Sequence, residues 1–349
     1  MTLTSFLVAF LVALLSAPLF RALALRWGVV DVPCARKLQR EPVPLLGGAA
    51  VYLGVIAGSF VVPLYARSHQ ALFLASTLIF VISVMDDKRE ISARVRLVVQ
   101  LAAAFLLIAN GLRISFLPNV WWGKILEILI TLLWILGITN AFNYLDGADG
   151  LCAGLAIVAA FFFFIILLTT GQVDLIFLPA AVMGACAGFF PHNFSRGKMF
   201  LGDGGSMFLG FTLAGFALTG SWAGENILRV IVPILILGVP IFDMTFTTFM
   251  RIKEHKVRTV VQWFEYAGRD HFHHYLMDLG LGPRGAIFFI FAISASMGIS
   301  ALIISDASDW IFGLLMILQS GIMFVLVGLL MVMGRRLHKM EEVHERVGI

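Results

Sequence analysis

The sequence predicts an all-α polytopic membrane protein with about eleven transmembrane helices, and three observations carry that reading. Of its 349 residues, 60% are hydrophobic and only 13% are charged, too few polar groups to clothe a soluble globule. Apolar runs of about 18 residues or more recur from one end of the chain to the other. The basic residues between those runs fall almost entirely on alternate loops, as the positive-inside bias of membrane proteins requires.

The spans lie near 3–25, 46–66, 70–85, 95–112, 124–140, 151–170, 174–191, 201–220, 227–250, 285–305 and 310–334. The first has neither a basic leader nor a small-residue cleavage pattern, so it is expected to be a retained span and not a signal peptide. No fixed-period repeat is visible, so an inverted-repeat transporter is not suggested. The expectation is one integral-membrane domain over 1–349, with 251–284 as its longest cytoplasmic loop. When the first loop is assigned to the cytoplasm, every Lys and Arg except Arg67, Arg113, Lys124 and Arg229 is cytoplasmic. That places the N-terminus outside and the C-terminus in the cytoplasm. Trp121, Trp122 and Trp310 fall at expected interfaces. Cys34, Cys152 and Cys186 have neither metal-site nor disulfide spacing and are expected to be reduced.

Five polar stretches share the cytoplasmic face. The first loop, 31–48, is basic and rich in turn formers; beyond marking topology, Arg36, Lys37 or Arg40 would attract an anionic headgroup or nucleotide. Asp86 and Asp87 end the third span, with Lys88, Arg89, Arg94 and Arg96 following. Adjacent carboxylates on an apolar helix end repel each other unless cations or a metal offset them, and Arg96 is a candidate phosphate contact.

The third stretch, Asn140 to Leu151, holds two Asp-Gly turns that let Asn143, Asp146 and Asp149 converge. Asn140, Asn143 and Asp146 stack on one face of a helical turn. A capped helix start would account for Asp149 alone. In the fourth, Gly202 to Ser206, Asp203 sits at a helix N-terminus whose free N–H groups suit phosphate oxygens. The fifth, 251–284, contains Arg269 and the cluster His271, His273 and His274; these are better hydrogen-bond donors to a diphosphate than zinc ligands, since no further ligand stands nearby. Val257, Val260, Val261 and Phe264 beside Lys253, Lys256 and Arg258 predict a short amphipathic helix on the inner leaflet. Asp243, within the ninth span, is a candidate of lower rank.

No Ser-His-Asp set, Walker loop or Rossmann glycine pattern is present. Carboxylates, an amide, guanidiniums and histidines on one face suit magnesium held by a few acids plus substrate phosphates. Phosphoryl transfer needs chiefly positioning and charge neutralisation, and a site at membrane depth points to a lipid substrate.

The chain resembles the polyprenyl-phosphate N-acetylhexosamine-1-phosphate transferases from Gly28 to His274. The likeness is carried by VPLLGG (43–48), DDKREIS with RLVVQ (86–100), NAFNYLDGADGL (140–151), FLGDGGS (200–206) and HFHH (271–274). The H-x-H-H form is similar to the bacterial undecaprenyl-phosphate N-acetylglucosamine-1-phosphate branch. The resemblance implies transfer of a sugar 1-phosphate from a UDP-N-acetylhexosamine to undecaprenyl phosphate, with release of UMP. It implies magnesium, with manganese as the alternative ion. By motif, Asp86 and Asp87 are the catalytic pair, Asp86 being the base or, in a two-step scheme, the nucleophile. Asn143 and Asp203 are metal ligands. Asp146 and Asp149 support the nucleotide pocket, and His271, His273 and His274 contact the diphosphate or sugar, with Arg40, Arg96 and Arg269 as further substrate contacts. The chain departs from the family at Gly268-Arg269, where an Asp-Arg pair commonly stands. The expected setting is a bacterial inner membrane and a pathway building a cell-surface glycan such as lipopolysaccharide or cell-wall polymer. A homodimer follows by analogy only, and no nucleic-acid partner is expected. The rival within the class is a phospho-N-acetylmuramoyl-pentapeptide transferase. From other classes, the rivals are an ion-coupled transporter and a purely structural membrane scaffold.

Overall fold

The computed structural model describes residues 1–32, 41–61, 67–89, 91–194, 198–220, 222, 227–259, 262, 268, 270–306 and 310–347, and of 227–229, 310 and 337–347 the backbone only. The helices are α1 (Thr2–Trp27), α2 (Gly47–Ser59), α3 (Arg67–Lys88), α4 (Ala93–Ala109), α5 (Trp121–Leu145), α6 (Leu151–Thr169), α7 (Phe177–Asn193), α8 (Gly202–Phe216), α9 (Ile227–Ile236), α10 (Gly238–Lys253), α11 (Phe272–Asp278), α12 (Pro283–Asp306) and α13 (Trp310–Val347). The single exception to an all-helical chain among the described residues is a two-stranded antiparallel ribbon. In it β1 (Val30–Asp31) pairs with β2 (Val43–Pro44), Val30 opposite Pro44.

Each expected apolar stretch is helical, but the stretches are not equivalent. Seven helices, α1, α3, α5, α6, α7 with the 3-10 turn before it, α12 and α13, are long and apolar enough to cross a membrane. An eighth crossing results if α9 and α10, bent by 77° at their junction, count as one. Pro240 explains the break, since it has no N–H to donate to Ile236 and so ends the ladder of α9. The remaining three, α2, α4 and α8, have 13, 17 and 15 residues. The expected stretches, about eleven, thus comprise, among the described residues, seven or eight that are long and apolar enough to cross and three shorter helices. In α8 every side chain except that of Asp203 is buried. A helix apolar on all sides belongs inside the protein, so its hydropathy reports burial against other helices and not contact with lipid.

Small residues set how closely the helices pack. On α1, Ala9, Ala13 and Ala17 have no exposed surface, while Leu3, Leu7, Leu11, Leu15 and Leu19 on the opposite side are exposed. The alanine face meets Gly54 and Gly58 of α2, where a Cβ would come within 2.8 Å of Ala9 O and 2.6 Å of Ser5 O. Lipid offers leucine no less than protein does, so close backbone approach is the available source of helix association here.

At one end of the bundle the segments that the sequence placed on a common face join by backbone hydrogen bonds. Leu45 N donates to Val29 O (3.1 Å), Phe200 N to Pro44 O (2.9 Å), Gly47 N to Phe200 O (3.0 Å) and Gly48 N to Leu201 O (2.7 Å). The VPLLGG stretch is thus an extended strip that docks on FLGDGGS, and Gly48 lies directly against the backbone of Gly205. A methyl group on Gly48 would overlap main-chain atoms that cannot rotate away. Gly48→Ala is therefore expected to destabilise the protein by about 1–3 kcal/mol, an overpacking cost. The readout is a lowered unfolding temperature in detergent, with Gly282→Ala, where a Cβ meets nothing, as the unchanged control.

Candidate active site

Asp86 and Asp87 occupy the last turn of α3, where the helix dipole is negative and acids are disfavoured. The fold answers with a second helix end. Asp87 Oδ1 accepts the backbone N–H of Asp203 and Oδ2 that of Gly204, both at 2.9 Å, so the carboxylate caps the positive N-terminus of α8. Gly202 makes this approach possible: its φ is +74°, and a Cβ there would lie 2.9 Å from Asp87 Oδ2.

Asp86 is held separately. Its Oδ1 accepts Ile91 N at 2.7 Å and its Oδ2 accepts Arg96 Nη1 at 2.9 Å. Arg96, one turn into α4, also reaches Asp203 Oδ2 at 3.6 Å. Asn143, in the last turn of α5, donates its Nδ2 to Asp203 Oδ1 at 2.8 Å. Asp146 follows α5 directly, partly buried. Loss of solvent, then the charges of Asp203 and Asp87, push its carboxyl well above the usual range, against the pull of the Gly202 backbone. Asp149 adds to the same field. The structure therefore brings Asp86, Asp87, Asn143, Asp146 and Asp203 together, with Asp149 beside Asp146 and Arg96 joining Asp86 to Asp203. Asn140 differs from the sequence expectation: it forms a reciprocal amide pair with Gln100, its Nδ2 donating to Gln100 Oε1 at 3.1 Å. It is a buried lock between α4 and α5, one turn deeper than the acids.

The histidines form a second cluster. His271 Nδ1 lies 2.8 Å from Asp243 Oδ2, and Phe272 N donates to Asp243 Oδ1 at 2.7 Å. Arg251 grips Asp270 through two hydrogen bonds of 2.8 and 2.7 Å, and its Nη2 stands 3.2 Å from His271 Nε2. Thr247 Oγ1 donates to Asp270 O at 3.1 Å. Asp243, Thr247 and Arg251 recur every four residues along α10, so one polar helix face holds residues 270 to 272 in sequence. Arg40 and Arg269 lie outside the described residues, as do Val260, Val261 and Phe264 of the expected amphipathic helix.

The two clusters meet through α5 and the turn after it. The Tyr144 ring stacks on His271 at 5.6 Å and lies under the Arg251 guanidinium at 5.7 Å. Gly147 abuts His273: a Cβ there would be 3.4 Å from its ring. His273 and His274 pack against each other at 4.1 Å. Sequence reasoning gave Asp243 a lower rank and did not single out Arg251, Asp270 or Tyr144 as site residues. The four-residue recurrence of Asp243, Thr247 and Arg251 within α10 is the signal that could have joined Arg251 to Asp243.

The donor set around Asp203 is hard oxygen from carboxylates and an amide, the chemistry that magnesium and manganese take. Several acids facing one guanidinium also leave an excess of negative charge for a cation to offset. Among the described residues no three Asp, Glu, His or Cys side chains converge to hold an ion alone. An ion here would complete its shell with water and substrate phosphate, as magnesium sites do.

A polytopic helical bundle with acids, an arginine and histidines gathered at one end defines a membrane phosphotransferase class. The profile of glycosyl transferase family 4 matches residues 69–221, the stretch that carries every acid of the first cluster. The chain is 33% identical over 313 residues to a Bacillus subtilis protein named probable undecaprenyl-phosphate N-acetylglucosaminyl 1-phosphate transferase, covering 88% of this chain and 86% of that one. It is 30% identical to a Mycolicibacterium smegmatis decaprenyl-phosphate N-acetylglucosaminephosphotransferase, over 78% of this chain and 74% of the relative. It is 29% identical to the Escherichia coli K12 undecaprenyl-phosphate alpha-N-acetylglucosaminyl 1-phosphate transferase, over 85% and 83%. The chain belongs to the polyprenyl-phosphate N-acetylhexosamine-1-phosphate transferase family, a multi-pass membrane enzyme family within glycosyl transferase family 4.

Asp270 offers a test of the histidine frame. Burial works against its charge, yet the hydrogen bonds and charge of Arg251 hold its carboxyl below the usual range. A depressed folded value means that the ionised group stabilises the fold above the unfolded value and that this stabilisation is lost as pH falls through the folded one. Asp270→Asn is expected to lower the unfolding temperature at neutral pH, since breaking a buried pair costs about 3–5 kcal/mol. The gap to wild type should narrow as pH falls below the ordinary carboxylate range toward the depressed folded value, at which the wild-type carboxyl itself takes a proton. A gap constant across pH would assign the loss to packing.

Proposed function

We propose that this protein transfers N-acetylglucosamine 1-phosphate from UDP-N-acetylglucosamine to undecaprenyl phosphate, releasing UMP, at the cytoplasmic face of a bacterial inner membrane. The product would be the lipid-linked sugar on which a cell-surface glycan is built. The observation that carries the reading is the joining of Asp86 and Asp203 by Arg96, with Asp87 and Asn143 bonded to the same α8 N-terminus and Asp146 in the same electrostatic field, at the end of an apolar bundle. The names of the relatives support N-acetylglucosamine over a muramoyl-pentapeptide and a polyprenyl phosphate as acceptor. The one-sided distribution of Lys and Arg supports the cytoplasmic orientation.

In this reading the attacking group is an oxygen of the lipid phosphate, the bond formed is to the β-phosphorus of the UDP-sugar, and the bond broken releases UMP. Asp86 takes the proton of the lipid phosphate; each of its oxygens accepts one hydrogen bond and retains a lone pair. Arg96, already between Asp86 and Asp203, supplies positive charge where oxygens gather it. Asp87 fixes the α8 N-terminus relative to α3. Asn143 and Asp203 would hold a magnesium ion, which supplies charge neutralisation to the diphosphate. Asp146 and Asp149, in the turn that Gly147 presses against His273, border the donor side, and His273 and His274 donate to its diphosphate or sugar.

The test is UMP release in detergent from UDP-N-acetylglucosamine, undecaprenyl phosphate and magnesium. Release is expected to require both substrates, to stop with a chelator and to resume with magnesium or manganese. Asp203→Asn should lower kcat on the order of 100-fold or more. Release with other UDP-sugars alone would refute the sugar, and none with any would refute the reaction. Asp86→Asn removes the proton acceptor while its amide oxygen can still face Arg96, and should lower kcat by about 100-fold or more with a smaller change in donor KM.

A further inference from the structure

His271 is the first of three neighbouring histidines, and its surroundings differ from those of the other two. Its ring is 6% exposed, and both nitrogens are engaged by α10: Nδ1 by Asp243 at 2.8 Å and Nε2 by Arg251 at 3.2 Å. A guanidinium can only donate, so Nε2 must present a lone pair, and the ring proton belongs on Nδ1, donated to Asp243. A second proton on Nε2 would set two N–H groups against each other, and the Arg251 fork, committed to Asp270 by two bonds, cannot turn away. The charged or titratable groups around the ring are Asp243 and Arg251 from α10, Tyr144 from α5, and Asp270 and His273 from its own segment. Glu254 and Arg335 act on the same region through Tyr275.

We propose that His271 is a positioning residue and not a substrate contact or proton carrier. It is held as the Nδ1–H tautomer by Asp243 and Arg251, and it fixes the register that sets His273 and His274 against the Asp146–Asp149 turn. The neighbouring contacts act in the same sense. The second oxygen of Asp243 takes Phe272 N, and Thr247 takes the carbonyl of Asp270, so three consecutive residues are fixed to one face of α10. His273 comes two residues after His271 and meets Gly147. The acid adjacent to His271, Asp270, anchors Arg251. The proposal rests on the transferase reading only for the identity of the substrates.

The test compares His271→Asn, whose amide N–H falls where Nδ1–H lies, with His271→Ala and His273→Asn, all in the full-length protein in detergent. His271→Asn should retain kcat within about tenfold of wild type, with the acid limb of the pH–kcat profile unmoved, whereas losing a proton-transfer group costs about 100-fold or more. His271→Ala, with no donor to Asp243, should fall well below His271→Asn and raise the KM for UDP-N-acetylglucosamine. Equal inactivity of the Asn and Ala variants with wild-type melting, or a shifted acid limb in His271→Asn, would overturn the proposal. A second readout needs no turnover: 15N spectra of histidine-labelled protein at neutral pH, assigned with His271→Asn, should show a protonated Nδ1 and a bare Nε2 for His271. An Nε2–H tautomer or a cation there would overturn it. If wild type released no UMP, the transferase reading would fall while the spectra still decided the role of His271.

Discussion

A carboxylate at the C-terminal end of one helix, bonded to the N-terminal N–H groups of another, is the contact on which the site depends. At the end of α3 alone, Asp87 would face the negative pole of its own helix and the charge of Asp86. Set on α8, it meets two N–H donors that would otherwise have no intrahelical partner, so each helix end resolves the defect of the other. The arrangement needs α8 to enter from inside the bundle with its N-terminus at the same level as the end of α3.

The same contact explains the glycines around it. Gly202, Gly204 and Gly205 lie where α2, α3 and α8 converge, and a side chain at any of them would strike Asp87, Val84 or the backbone of Gly48. Close approach brings the extended strip 43–48 against residues 200–201, which ties the first loop to the acidic end. Polar groups one turn deeper, such as the Gln100 and Asn140 pair, bond to each other and so demand nothing of lipid or substrate. Among the described residues the acids at this end are joined by Arg96, and the remaining crowding of carboxylates is of the kind that an added cation relieves.

Much of this was legible in the chain. The polar residues at 86–87, 143–149 and 203 are expected from the sequence to share one face, and the bonds of Asp87 and Asn143 to the start of α8 bring them together. What could not be read was which apolar runs lie in lipid and which inside protein. Hydropathy is equally high for α8 and for a true crossing; only length and the company of glycines separate them. Asn140 shows a different limit. Its spacing with Asn143 and Asp146 is helical and correct, but a partner forty residues earlier, Gln100, claims it, and period alone cannot reveal a tertiary partner. The histidine frame was obscured for a similar reason. Asp243 and Arg251 sit within a stretch dominated by Phe, Ile and Thr, so they appeared as isolated charges and not as one face.

The departure at Gly268-Arg269 shows how such a frame can tolerate sequence change. What the α10 face requires is an acid within reach of Arg251, a backbone carbonyl for Thr247 and an imidazole N–H for Asp243. Asp270 supplies the first two at a single residue, by its side chain and its main chain, and His271 supplies the third. The demand is therefore geometric, and in this chain one residue meets two parts of it. Its strictest element is the buried guanidinium, 2% exposed, which without a paired carboxylate would be an uncompensated charge beside Tyr144 and His271. In this chain the acid comes from the loop before the histidines, whereas Arg251 and Asp243 are carried by one face of α10.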